Sequence, residues 1–341
     1  MRLAARFPAE KAAGFYRAAQ GLCLSNIGIG TYLGDVNEAT DRAYNEALRA
    51  AVRGGVNVID SAINYRRQRS ERCVGTALYA LREAGEAARD EILICTKAGF
   101  LVPGAIPDGL ATAEQAGGMH SMAPEFLADQ MERSRSNLGV ETIDVFYLHN
   151  PETQLGFVSQ EVFYERIARA FAALEELAGE GRIAFYGAAT WDGFRKARGA
   201  PGSLSLPRLM ELARDAGGDG HRFRFLQLPF SISMPEAYRL ETEALEGRPA
   251  SVLEAARSYG LTVMASAPLM QARLARGVPE ALSYKIGGAK TDAQRAIQFA
   301  RSAPGITTAL VGMSSVKHVG ENLELAALTQ IPPAVYQGLY P

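Results

Sequence analysis

Short runs of β-branched residues alternate with stretches of helical period along nearly the whole chain, and that alternation restricts the fold more than any other feature. Val56, Val58 and Ile59 read as a buried strand stopping at Asp60, because branched side chains suit a covered pleat and Gly54-Gly55 punctuates the chain before them. Upstream, Ala43, Ala47, Leu48, Ala51 and Val52 recur at spacings of three and four, the mark of one helix face. Further strands are expected over Glu91–Lys97, Ile143–His149, Ile183–Ala189, Phe223–Phe230, Leu261–Ala265 and Thr307–Val311, with a first strand or short hairpin within Leu22–Ile29. Helices are expected from Ser70, from Pro124, over 160–181, over 206–216, around Val252–Ala256, over Gln294–Arg301 and over Val316–Leu328. In the helix over 160–181, Phe163, Ile167, Phe171, Leu174 and Leu177 form the clearest apolar stripe in the chain.

Eight strand-then-helix units imply parallel strands with right-handed crossovers, and closing them into a barrel removes both sheet edges. The expected fold is therefore α/β, a (β/α)8 TIM barrel, forming a single domain over 1–341 with an N-terminal extension over 1–20 and elaborated βα loops at the C-terminal face. An open doubly wound sheet is the competing arrangement. It carries G-x-G-x-x-G after its first strand, whereas that turn here reads Gly28-Ile-Gly30-Thr31-Tyr32-Leu33 and lacks the third glycine.

Apolar residues make up 48% and charged residues 21% of the 341, with a formal net charge of -1, a balance that calls for neither nucleic acid nor an anionic membrane. Cys23, Cys73 and Cys95 are widely spaced with no C-x-x-C pair and read as reduced, mostly buried thiols of a cytoplasmic protein. The first residues lack an apolar signal core, and no apolar run approaches the ~18 residues that span a bilayer. Oligomeric state is left open.

Three expected strands end on side chains that carry or steer protons: Asp60, Lys97 and His149, with Tyr65 in the loop five residues after the first of them. Strand ends are where parallel α/β folds place their chemistry. A phenol titrates near ~10, so Tyr65 needs a neighbouring cation to become a better acid, and Lys97 is the candidate. Asp60 would keep that lysine charged, and His149 would donate a hydrogen bond to a substrate oxygen. Together they make a proton donor for an oxygen that becomes an alkoxide when hydride is added to a carbonyl. Taken singly, each also has a plain structural explanation, as a turn cap, a solvated charge or a buried histidine. Asp144, which starts its strand, reads as structural.

The series Asp60-x4-Tyr65, Ser70-Glu71 with Gly75, Lys97 and His149 resembles the aldo-keto reductase superfamily from about Leu22 to Leu328. So do Gly28-Ile-Gly30-Thr31-Tyr32, Gly187, Gln227, Ala267-Pro268-Leu269, Gly312-x-Ser314-Ser315 and Glu321-Asn322. The resemblance implies a (β/α)8 barrel using NADP(H), with NAD(H) as the alternative, on a small carbonyl or sugar substrate. It implies that Tyr65 is the proton donor, tuned by Lys97 and Asp60, and that His149 orients the carbonyl. Gln227 would touch the nicotinamide carboxamide, with Ala189 and Thr190 at a further carboxamide contact and Ser266 at the position of a stacking aromatic. Ala267, Pro268 and Leu269 would wrap the pyrophosphate, Ser314, His318, Glu321 and Asn322 would meet the adenosine, and Gly30, Thr31, Tyr32 and Gly312 would also line the cofactor.

Departures from the family pattern are Ala189-Thr190 for its usual Ser-Asn, Ser266 for a stacking aromatic, and His318 for an arginine that grips the 2'-phosphate. A regulatory subunit similar to the potassium-channel beta subunits, binding cofactor but weakly catalytic, is the alternative function. A metal-dependent hydrolase is disfavoured, because the four histidines at 120, 149, 221 and 318 form no H-x-H pair. A Schiff-base lyase using Lys97 is a further alternative. The Gly- and Pro-rich segment 98–123, with His120 in it, is expected to overhang the mouth and help choose the substrate, as are Trp191-Asp192 and 231–248.

Overall fold

The computed structural model describes residues 14–245 and 247–339. A hairpin of β1 (Tyr16–Ala19) and β2 (Leu22–Ser25) leads into β3 (Ile27–Gly30), β4 (Val58–Asp60), β5 (Leu93–Ala98), β6 (Ile143–His149), β7 (Ile183–Ala189) and β8 (Phe223–Pro229). A second hairpin, β9 (Glu243–Leu245) and β10 (Arg248–Ala250), precedes β11 (Thr262–Ser266) and β12 (Ile306–Gly312). The eight strands β3 to β8, β11 and β12 close into a barrel, each parallel to its neighbours, with β12 returning to β3. The helices between and after the barrel strands are α1 (Glu38–Arg53), α2 (Arg69–Glu83), α3 (Pro124–Leu138), α4 (Gln160–Gly179), α5 (Leu206–Gly217), α6 (Glu236–Arg239), α7 (Val252–Ser258), α8 (Glu280–Lys285), α9 (Asp292–Ser302), α10 (Val316–Leu323) and α11 (Pro333–Gln337). The expected (β/α)8 TIM barrel is the fold observed.

Successive side chains of a strand face opposite ways, so each barrel strand sorts its residues into two cores. Val58, Leu93, Cys95, Val145, Tyr147, Phe225, Met264 and Leu310 form one buried cluster, the barrel interior. Ile59, Ile94, Phe146, Leu148 and Leu226 belong to the larger cluster between strands and helices. By the same alternation Asp60, Lys97, His149 and Gln227 continue the interior face at the C-terminal strand ends. Gly187 sits on that face because nothing larger fits: a Cβ there would lie 2.0 Å from the backbone oxygen of Phe225.

Helix starts follow the sequence where a small polar residue is present. Asn37, Ser159, Ser205, Ser251, Thr291 and Ser315 each accept a backbone N–H of the first turn. Ser70, expected to begin its helix, does something else. The helix starts one residue earlier after a left-handed Gln68, and the Ser70 hydroxyl donates to the Thr31 carbonyl at 2.7 Å.

Of the extension expected over 1–20, residues 1–13 lie outside the described residues, but 14–20 are structured. Phe15 is buried, Tyr16 donates to the Gly55 carbonyl at 2.7 Å, and β1 pairs with β2. The hairpin closes the N-terminal end of the barrel, with Leu24 packed into the interior cluster and the Asn57 side chain bridging Cys23 and Ser25. The segment 231–248 contains α6 and β9. Asp144 is structural as read: its carboxylate accepts from Arg89 at 2.7 Å and from the Ile94 amide at 2.8 Å.

Replacing Gly187 by alanine is expected to force β7 from β8 and lower stability by about 1–3 kcal/mol, read as a lower urea midpoint with an unchanged far-UV spectrum.

Candidate active site

Strands β4, β5 and β6 are neighbours in the barrel, so their last inward side chains converge. The Lys97 ammonium is fully buried and makes four contacts: Asp60 Oδ1 at 2.9 Å and Oδ2 at 2.7 Å, the Ser61 carbonyl at 2.6 Å, and the Tyr65 hydroxyl at 3.4 Å. The same ammonium lies 4.8 Å from the Tyr65 ring centroid. Asp60 receives a further bond at 2.7 Å from the Gln227 side-chain amide. A buried charge is tolerated when it is paired and its remaining donors are used, and here both conditions hold.

Tyr65 is only partly covered, and its ring stands edge-on to Tyr32 at 4.9 Å and to His149 at 5.7 Å. Phe100 packs behind His149 at 5.1 Å. All four proton-handling residues expected from the sequence therefore meet in one place.

The electrostatics differ from the expectation in one respect. Burial pushes the Tyr65 phenol above its ordinary value, and the Lys97 ammonium opposes this without overcoming it. Much of the lysine's field is spent on Asp60. The phenol is thus held protonated, not acidified. Lys97 is drawn down by burial but kept above its ordinary value by Asp60 and Tyr65, so it stays a cation. Burial, with Lys97 and His120 adding to it, holds His149 well below the usual histidine range. Its Nδ1 is buried without a hydrogen-bond partner. A neutral imidazole with that nitrogen shut away carries its proton best on Nε2, as a donor.

The loop bearing Tyr65 is held by a feature the sequence did not disclose. Arg66, Arg67 and Gln68 adopt φ of 48°, 53° and 70° in succession. Each left-handed non-glycine residue costs about 1–2 kcal/mol. Arg66 offsets this from a buried position. Its guanidinium donates to Asp35 O at 2.9 Å, Asn37 O at 3.2 Å and Asp41 Oδ1 at 2.6 Å and lies over the Tyr44 ring. Arg69 pairs with the same aspartate. Glu152 was also missed: its buried Oε1 accepts from the amides of Trp191 at 2.6 Å, Asp192 at 2.9 Å and Gly193 at 3.3 Å, which fixes the loop after β7. An arginine in a loop and a glutamate after a proline read as solvated charges, so only the Asn150-Pro151-Glu152 run next to His149 hinted at this role.

The expected cofactor residues lie at or just beyond the ends of β3, β7, β8, β11 and β12, with His318, Glu321 and Asn322 on α10. Gly30 pairs with Gly312, and Ala189 pairs with both His149 and Gln227. Thr31 is buried with its hydroxyl at Ser61 and Asp60, and Thr190 is buried with its amide on the Gln227 carbonyl. Tyr32, Gly312, Ser314 and His318 are exposed, and Ser266, Ala267 and Leu269 are partly covered while Pro268 is buried. Ala267, Met270, Gln271 and Ala272 have φ between 46° and 69°, a run of irregular backbone after β11. Glu321 is engaged by the Thr291 hydroxyl at 3.0 Å, and Asn322 is buried. Within 98–123, His120 is fully buried while the neighbouring Met119 is exposed, and Trp191 is 41% exposed.

The sequence model of the Aldo/keto reductase family matches residues 26–339. NADH-specific methylglyoxal reductase of Escherichia coli (strain K12) is 28% identical over 181 residues, covering 50% of each chain. D-threo-aldose 1-dehydrogenase of Pseudomonas sp is 30% identical over 186 residues, covering 52% of this chain and 51% of that one. The chain thus spans about half the length of the curated relatives it matches. Among solved structures, an aldo/keto reductase from Klebsiella pneumoniae in complex with NADP and acetate superposes with a TM-score of 0.65 at 20% identity, over 96% of this chain and 94% of that one. The holo form of an aldo-keto reductase from Bacillus halodurans gives 0.64 at 20% identity, over 96% of both chains. At these identities the structural likeness speaks for the fold. No helix among the described residues is long and apolar enough to cross a membrane.

With histidine rings labelled, the His149 resonances are expected to stay flat from about pH 5.5 to 8, whereas an inflection near ~6.5 would contradict the burial and charge arguments for a neutral ring.

Proposed function

The chain belongs to the aldo/keto reductase family, and from that premise we propose that it is an NAD(P)-dependent oxidoreductase acting between a small aldehyde, ketone or sugar lactol and the corresponding alcohol or lactone. The observation that carries the reading is the Lys97 ammonium set between the Asp60 carboxylate and the Tyr65 hydroxyl, with a neutral His149 edge-on to the Tyr65 ring.

In this reading Tyr65 holds the proton that a carbonyl oxygen needs as it becomes an alkoxide, and burial keeps that proton in place at neutral pH. Lys97 stabilises the phenolate left behind, so the ammonium acts mainly after transfer has begun. Asp60 keeps Lys97 charged and oriented, with Gln227 and the Ser61 carbonyl fixing both partners. His149 donates from Nε2 to the substrate oxygen, which sets the carbonyl beside the phenol. In the oxidative direction the same groups run in reverse, with Tyr65 accepting the alcohol proton.

The residues around the mouth fit a dinucleotide. The Gln227 amide N–H is spent on Asp60, which leaves its carbonyl oxygen free to accept from a carboxamide. The irregular backbone at 267–272 and the exposed Gly312, Ser314 and His318 at the start of α10 give amide and side-chain donors for phosphates. A bound nicotinamide supplies the hydride. NADP(H) is the proposed cofactor and NAD(H) the alternative, since His318 is a weaker partner for a 2'-phosphate than a bidentate arginine. A single barrel domain, with no nucleic-acid or membrane partner, is part of the same reading.

Titrating NADPH and NADH by fluorescence, then assaying aldehydes, ketones and aldoses, tests this. Tyr65→Phe is expected to bind cofactor normally and to lose about 10²–10⁴-fold in kcat. Absence of both binding and turnover, or an unimpaired Tyr65→Phe enzyme, would remove the proposal. His318→Arg is expected to shift the ratio of kcat/KM values toward NADPH by about 10-fold or more, the size of one charge-assisted pair.

A further inference from the structure

His120 is a fully buried histidine in the long loop between β5 and α3, and the mechanism above does not use it. The loop folds back on itself there. Phe100 and Ala116 both bridge to His120, the Leu101 amide donates to Met119 O at 2.8 Å, and the Ser121 amide donates to Gly99 O at 2.8 Å. His120 Nε2 lies 2.7 Å from the carbonyl oxygen of His149. A carbonyl only accepts, so that nitrogen carries the hydrogen. Nδ1 is then an acceptor, and it meets the Gln154 side-chain amide at 3.1 Å.

The Gln154 orientation is set in turn, because its Oε1 accepts from Arg166 at 2.7 Å while the other arm of Arg166 donates to Ala113 O at 2.6 Å. Each bond in the series from α4 to the strand end therefore joins one donor to one acceptor. Burial also keeps His120 neutral, pushing it down to about 4.

The far end of the series is a peptide group of the active site. The His149 carbonyl takes the His120 hydrogen, and the next amide, of Asn150, donates to Ala189 O at 2.6 Å. That peptide is gripped on both sides although Asn150 is left-handed, with φ 48° and ψ 58°. Space is reserved for the contact. A Cβ at Gly99 would lie 2.5 Å from His120 Nε2 and 2.6 Å from His149 O. The Phe100 ring stands edge-on to both imidazoles, 5.3 Å from His120 and 5.1 Å from His149.

We infer that His120 is a positioning residue: it holds the His149 backbone, and thereby the His149 ring, beside Tyr65, with Gln154 and Arg166 fixing the tautomer that makes this bond. The inference rests on His149 orienting a carbonyl, as proposed above. A displacement of about 1 Å in such a group is enough to cost about 100-fold in rate, whereas cofactor contacts on the other strand ends are untouched.

The experiment compares His120→Leu, His120→Gln and Gln154→Met with the full-length wild type, reading kcat, KM, NADPH affinity by fluorescence, and the 15N shifts of the labelled histidine rings. His120→Leu is expected to lose about 10–100-fold in kcat with NADPH affinity unchanged and the His149 ring resonances shifted. His120→Gln, whose Nε2–H can take the place of the imidazole N–H, is expected to restore both. A fully active His120→Leu enzyme, or a His120→Gln enzyme as impaired as His120→Leu, overturns the inference. Should His120→Leu fail to fold, Gln154→Met decides. It is expected to lower kcat and perturb the His120 ring nitrogens, and wild-type values for both would overturn the inference. A wild type without turnover on any carbonyl would defeat the proposed function instead, and the ring shifts would still report whether His120 sets His149.

Discussion

The ammonium of Lys97 is the charge on which the rest of the site depends. Removing such a group from water costs several kcal/mol, and only close, multiple pairing returns it. Asp60 supplies the counter-charge, Ser61 a carbonyl, and Gln227 a bond that keeps Asp60 turned toward the lysine. The ends of three separate strands, β4, β5 and β8, must therefore be held in one hydrogen-bonded series. The barrel does this through register: Asp60 pairs with Cys95, two residues before Lys97, and Lys97 pairs with Tyr147, two residues before His149. A slip of one residue in either pairing would turn a charged side chain into the apolar layer beneath the helices.

The distribution of strain follows from the same centre. Apart from Gln20 in the turn of the β1–β2 hairpin, the left-handed non-glycine residues gather at the C-terminal loops: 66–68 beside Tyr65, Asn150 after His149, and Ala267 and 270–272 after β11. Such conformations persist only where the surroundings over-determine them. Arg66 with Asp41 secures the first and the His120 and Ala189 bonds secure the second. The chain thus keeps its costly geometry next to its reactive groups and anchors it with buried polar contacts that reach back to the helices.

How far the sequence disclosed this depends on the range of the interaction. Strand period, helix stripes and the residues at strand ends are local, so the barrel, Asp60, Lys97 and His149 could be read directly, and Tyr65 by its short spacing from Asp60. The pairing of Tyr16 with Ser25 was hidden because the segment before it carries no period of its own. Arg66, Glu152 and His120 were hidden for a different reason. Their partners lie 25 to 41 positions away, and a lone charged or imidazole side chain in a loop looks the same whether it is solvated or enclosed. The sign of the Tyr65 shift was also out of reach, since it depends on weighing burial against one ammonium already shared with Asp60.

The hairpin beneath the barrel has one more implication. Leu24 fills the interior from below, with Ala19 and Leu22 packed beside it, so among the described residues the hairpin forms a floor under the barrel. Under the proposed function, cofactor and substrate would therefore both be admitted from the strand ends that carry Asp60, Lys97 and His149, on the side of the barrel away from the hairpin.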